Sequence, residues 1–88
     1  MQIKQGNVVK SIAGHDKDRF YVAVKVEGDF AYIADGKVRK LESPKKKRLK
    51  HLAPTKSTVD LNETVTNNKL KNALKEFNSE EQVTKGGI

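Results

Sequence analysis

The chain of 88 residues contains no cysteine and no tryptophan, only two prolines, and two histidines that stand 36 residues apart. Without cysteine there is neither a disulfide framework nor a thiolate metal site, and the redox compartment is left unconstrained. Without HExxH, a GxSxG elbow or a glycine-rich phosphate loop, nothing assembles a nucleophile, a base and a stabiliser, so the chain does not read as an enzyme and no cofactor or metal is expected. His15-Asp16 could resemble a base with its orienting acid, but in a turn cluster Asp16 is expected to bond neighbouring backbone N–H groups. No apolar run approaches the roughly 18 residues of a membrane span, and MQIKQGNVVK has no apolar core of a signal peptide, so a cytoplasmic location is expected. An anionic membrane surface is a minor option, because a basic run interrupted by Pro44 is not an amphipathic helix.

What the chain has is positive charge in one place. The net charge is +7, and residues 37–56, KVRKLESPKKKRLKHLAPTK, hold nine lysines and arginines against Glu42 alone. The flanking segments are close to neutral. Like charges this dense repel one another, and a polyanion offsets that repulsion. Nucleic acid is the leading partner, because each neutralised phosphate releases condensed counterions. A solvated basic arm is the plain alternative, but Val38, Leu41, Leu49 and Leu52 are interleaved with the cations, which implies a folded presentation.

Apolar residues crowd into the first 52 positions, so a small core belongs there. Residues 6–12, GNVVKSI, predict a strand that ends at the turn cluster Ala13-Gly14-His15-Asp16. Residues 19–26 alternate, with Phe20, Val22, Val24 and Val26 on the expected core face and Tyr21, Ala23, Lys25 and Glu27 opposite. Phe30 to Ile33 resumes an extended segment, and Asp35-Gly36 predicts a type I′ hairpin into a strand over Lys37–Leu41. Arg48–Leu52 predicts one more short strand or a single helical turn. Several short strands in under sixty residues describe an all-β domain, a small meandering barrel. Residues 55–66 read as a polar linker. Leu70, Ala73, Leu74 and Phe77 then predict an amphipathic helix over 67–77, with Thr66 or Asn67 as its N-cap, and residues 78–88 read as a disordered tail.

Gly6-Asn7-Val8-Val9, Ser11, Gly14, Lys17 and the Val22–Val26 strand resemble a KOW motif, the strand-loop-strand unit of ribosomal proteins and some elongation factors. With the following DGKVRKLESPKKKRLKHL, residues 4–54 are similar to bacterial KOW domain-containing RNA-binding proteins related to archaeal and eukaryotic large-subunit ribosomal protein fourteen-e. The resemblance implies an SH3-like barrel over residues 1–54 and a ribosome-associated RNA-binding role in translation as part of a ribonucleoprotein. It places Gly14 at the loop glycine that lets backbone approach RNA, and Lys17 at a loop position that is commonly basic. Asp18 and Tyr21 stand where many KOW motifs have glycine.

The expected RNA-binding residues are Lys37, Arg39, Lys40, Lys45, Lys46, Lys47, Arg48, Lys50 and His51, with Lys17, Arg19, Gly14 and Tyr21 from the first loop and strand. Structured RNA, ribosomal RNA foremost, is the expected partner, met by shape and phosphate contacts. Tyr21 and Tyr32 are candidate stacking platforms, Tyr21 the better because it lies opposite Phe20, whereas Phe20 and Phe30 are expected in the core. A different class of function is a protein-interaction adaptor that uses the barrel edge or the 67–77 helix.

Overall fold

The computed structural model of the chain describes residues 2–62 and 64–78. Five antiparallel strands, β1 (Asn7–Ser11), β2 (Phe20–Glu27), β3 (Phe30–Ala34), β4 (Lys45–Arg48) and β5 (Leu52–Thr58), precede one helix, α1 (Asn67–Asn78). The strand order in the sheet is β4-β3-β2-β1-β5. In a flat sheet the two outer strands would lie about 19 Å apart, at ~4.8 Å per step. Yet β4 and β5 are joined only by a 3-10 turn over Leu49–His51, which rises about 2 Å per residue. The sheet must therefore curl until its edges approach, giving a small barrel-like domain. The turn is tied down on both sides: Leu49 N–H donates to the Asp29 carbonyl and Ile12 N–H to the His51 carbonyl.

The curl produces an inside and an outside. Inside, Ile3, Val9, Tyr21, Ala23, Ala31, Ile33 and Leu52 form one core, with Val26 and Leu49 at its margin. Outside, Val8, Val22 and Ala34 meet Leu70 and Leu74 of α1, flanked by Phe20, Val24, Leu41 and Phe77. The alternation read from β2 is thus corrected. Pairing runs Ala23 with Ile33 and then Lys25 with Tyr32, so Val24 is an extra residue. This bulge flips the parity of the strand: Tyr21 and Ala23 point inward before it, Val26 after it. Phe20 and Phe30 are half-buried rather than core; Phe20 packs on the Phe77 ring with centroids 5.2 Å apart.

A second irregularity lets Pro54 sit in a strand. Between the pairs Asn7–Thr58 and Val9–Pro54, three residues of β5 oppose Val8 alone. The carbonyls this leaves without ladder partners are taken by side chains. Asn7 Nδ2 donates to the carbonyls of Thr55 (3.0 Å), Ser57 (3.1 Å) and Val8 (3.1 Å), and Thr55 Oγ1 donates to Val8 at 2.7 Å. Edge strands and bulges are where a proline without its N–H is tolerated. Residues 55–58 consequently belong to β5, and not to a linker.

Two further expectations change. Lys37–Leu41 is a loop and not a strand, because Asp35 Oδ1 accepts the N–H groups of both Lys37 and Arg39 at 2.9 Å, while Asp35 and Gly36 N–H donate to the Arg39 carbonyl. Captured this way, the backbone cannot form the two-residue hairpin. The segment Arg48–Leu52 divides between the end of β4, the 3-10 turn and the start of β5.

Helix α1 begins where Thr66 Oγ1 accepts the Lys69 N–H at 3.1 Å, an N-cap contact. Leu70 and Leu74 are buried and Phe77 half-buried, whereas Ala73 is exposed. Each buried leucine contributes about 2 kcal/mol of burial. That is why a helix of twelve residues, marginal by itself, holds its place. Both ends are also fastened by asparagines. Asn67 accepts the Leu41 N–H at 2.7 Å and donates to Glu42 at 2.8 Å; Asn78 accepts from Phe20 N–H at 2.9 Å and returns a bond to its carbonyl at 3.2 Å. Asn78 is therefore helical, and the rest of the tail expected over 78–88 lies outside the described residues.

Candidate nucleic-acid interface

Lys45-Lys46-Lys47-Arg48 is a poor strand former on propensity, but β4 is an edge strand with β3 as its only neighbour, and charged residues suit such an edge. Period two then divides the four cations between the two sides of the sheet. Lys45 pairs with Ile33 and Lys47 with Ala31, whose side chains point inward; Lys46 pairs with Tyr32 and Arg48 with Phe30, on the outside.

The inward pair is spent on a carboxylate. Lys47 Nζ donates to Asp16 Oδ1 at 2.5 Å and to the Ala13 carbonyl at 2.7 Å. Lys45 Nζ donates to Asp16 Oδ2 at 3.1 Å, and Ser11 Oγ to Asp16 Oδ1 at 2.8 Å. The side chains of Lys47 and Asp16 are only 8% and 10% exposed. Burial by itself disfavours the Asp16 carboxylate, but the hydrogen bonds from Lys47, Ser11 and Lys45 outweigh it and hold the group well below the usual carboxylate range. Asp16 thus bonds side chains rather than the local backbone amides. Lys45 and Lys47, two of the expected RNA contacts, are internal counterions.

Tyr21 is withdrawn from the surface as well. At 2% exposure it is a core residue and cannot stack on a base. Its phenol is pushed up by burial, then by the Asp16 and Asp35 carboxylates, with Arg19 acting the other way. Arg19 itself lies 3.7 Å from Asp35 Oδ2. The loop carrying Gly14 and Lys17 covers the inward side of β4: a Cβ on Gly14 would stand 3.5 Å from Lys47 Nζ. Gly14 has φ +86°, and Asp18 has φ +74°, a backbone conformation in which glycine is unstrained and aspartate is tolerated.

The outward pair is open. Lys46 Nζ lies 4.3 Å from the centre of the Phe30 ring and the Arg48 guanidinium 5.3 Å from it, both within cation–π range. Beside them Lys25 Nζ stands 5.8 Å from the Tyr32 ring, because the Val24 bulge sets Lys25 opposite Tyr32. Among the described residues no carboxylate pairs with Lys46 or Arg48; the one acid bonded to this face is Glu27, 3.4 Å from the Tyr32 hydroxyl and 4.0 Å from Lys25. Cations and aromatic rings therefore alternate over the uncovered part of the outer sheet face.

The other expected contacts frame this face rather than lie on it. Lys37, Arg39 and Lys40 are exposed on the loop after β3, and Lys50 is exposed and His51 half-buried in the 3-10 turn after β4. Phe30 and Lys25 were missed as surface residues. Their placement follows from strand register and one bulge, and neither is written in local composition.

No family model matches this chain, and no curated protein matches it. Among the described residues no helix is long and apolar enough to cross a membrane.

Proposed function

We propose that this protein is an RNA-binding module that meets structured RNA, ribosomal RNA foremost, through the outer face of β3 and β4. The observation that carries the reading is Lys46 and Arg48 flanking the half-buried Phe30 ring with no carboxylate to neutralise them. Such a face offers a phosphate two cations and an unpaired base a stacking surface. Lys37, Arg39, Lys40 and Lys50 extend positive charge beyond both ends of the strand pair, and long-range attraction of this kind steers a polyanion.

The KOW resemblance fits this reading. Strand order β4-β3-β2-β1-β5 with a 3-10 turn between β4 and β5 is compatible with an SH3-like barrel, and left-handed φ at Gly14 and Asp18 suits two glycine positions of the motif. A ribosome-associated, cytoplasmic role belongs to the same proposal. The adaptor alternative loses its best candidate surface, since the apolar side of α1 is occupied by the sheet.

The test is retention of a structured RNA at increasing ionic strength. Affinity is expected to fall steeply with salt, and the double variant Lys46→Ala/Arg48→Ala to lower the slope by nearly two units. Affinity indifferent to salt would overturn the proposal.

A further inference from the structure

A cleft of about 370 Å³ opens between α1 and the sheet, lined by Arg19, Lys37, Lys71, Lys75, Asp35 and Asn78, with Asn72 and Leu74 completing it. It is separate from the Phe30 face. Four cations and one acid converge there. Lys71 and Lys75 are one helical turn apart, a spacing at which like charges destabilise a helix, and Lys37 faces them from the loop after β3. None of these three lysines has a carboxylate partner among the described residues.

The acid does little to neutralise them. Asp35 is 3% exposed, and its Oδ1 is occupied by the backbone N–H groups of Lys37 and Arg39. Its Oδ2 lies 3.7 Å from the Arg19 guanidinium, too far for a hydrogen bond. Neither Asp35 Oδ2 nor Arg19 Nε has a hydrogen-bond partner among the described residues. Asp35 therefore orients Arg19 by charge without engaging its donors. With 43% of its side chain exposed, the guanidinium is free to turn toward an anion in the cleft, and its planar fork matches phosphate oxygens.

We propose that this cleft is a phosphate site, with Lys71 and Lys75 from α1, Lys37 from the loop and Arg19 from the sheet taking one phosphodiester. Resting on the RNA reading above, it extends the RNA footprint across α1, so that the helix is part of the interface and not only a brace for the sheet. Asn78, which locks α1 onto Phe20, fixes the spacing between the helix lysines and Arg19.

The experiment compares wild type, K71Q/K75Q and K46A/R48A in binding an RNA hairpin with a uridine loop over a range of salt, with inorganic phosphate titrated separately against the backbone amide resonances. Gln is a good helix former and both lysines are exposed, so K71Q/K75Q keeps the fold, which circular dichroism verifies. The expected results are a salt slope lower by about 1.5 units in K71Q/K75Q, and phosphate-dependent shifts of the residue 71–78 amides that the variant loses. Unchanged slope and affinity in K71Q/K75Q, with K46A/R48A impaired, overturns the cleft and leaves the RNA reading standing. Phosphate shifts in a wild type that binds no hairpin support the anion site and overturn its assignment to RNA.

Discussion

Lys47 on β4 and Asp16, 31 residues earlier in the chain, form a buried ion pair that joins the edge strand to the loop between β1 and β2. The cation came from the densest basic run in the sequence, yet its role is internal. Breaking such a pair from one side leaves a charge stranded in the interior. Asp16→Asn is expected to lower the unfolding free energy by about 3 kcal/mol, whereas Lys46→Ala, one residue away and outward, should change it by about 0.5 kcal/mol or less. Urea denaturation of the two variants checks this; equal midpoints would place Lys47 and Lys46 in equivalent surroundings.

The same carboxylate sets an acid limit on stability. Burial opposes its ionisation, but the bonds from Lys47, Ser11 and Lys45 prevail, so it is more acidic folded than unfolded. As pH falls, the unfolded chain protonates Asp16 first, near the ordinary value of about 3.9. Its contribution is therefore complete above about pH 5 and is lost progressively below about pH 4. Urea midpoints of wild type should drop over that interval, and those of Asp16→Asn should drop less. Parallel pH profiles would remove Asp16 from the account.

Much of this architecture is legible in the residues. The turn cluster at Ala13–Asp16 and the apolar spacing of Leu70, Leu74 and Phe77 correspond to elements that form. What local pattern does not carry is parity. Since α1 covers part of the outer face, β2 is apolar on both sides, and alternation alone cannot tell which side is the interior; the Val24 bulge then exchanges the sides midway. Tyr21 was assigned to the surface for this reason. The division of KKKR into two buried counterions and two free cations is likewise a matter of register, fixed only when β4 pairs with β3. Asp35-Gly36 misleads for a different reason, since a carboxylate that captures two amides further along competes with the hairpin.

Gly36 joins the sheet to the helix. Its φ is +81°, and a Cβ there would collide with the Asn67 carbonyl at the start of α1. Gly36→Ala meets both a conformational and a steric penalty, with backbone rather than a flexible side chain as the obstacle. A loss of about 2 kcal/mol or more is expected. Hydrogen exchange should quicken first in Asn67–Asn78 while the sheet amides keep their protection. Uniform loss of protection would instead mean that helix and sheet unfold as one unit.

Phe30 separates stacking from charge on the proposed RNA face. The ring is half-buried, stands outside both cores and is bracketed by Lys46 and Arg48, so Phe30→Leu keeps an apolar strand residue while removing the aromatic face. If unpaired bases stack there, affinity for a loop-bearing RNA should fall by about 1–3 kcal/mol, roughly five- to 150-fold. The salt slope should stay where it is, because no phosphate contact is lost. Lys46→Ala/Arg48→Ala should do the reverse in kind, lowering the slope in proportion to the phosphates released. A Phe30→Leu variant with unaltered affinity would reduce the face to its two cations, and one with a lowered slope would mean that the ring acts by holding Lys46 and Arg48 in place rather than by touching a base.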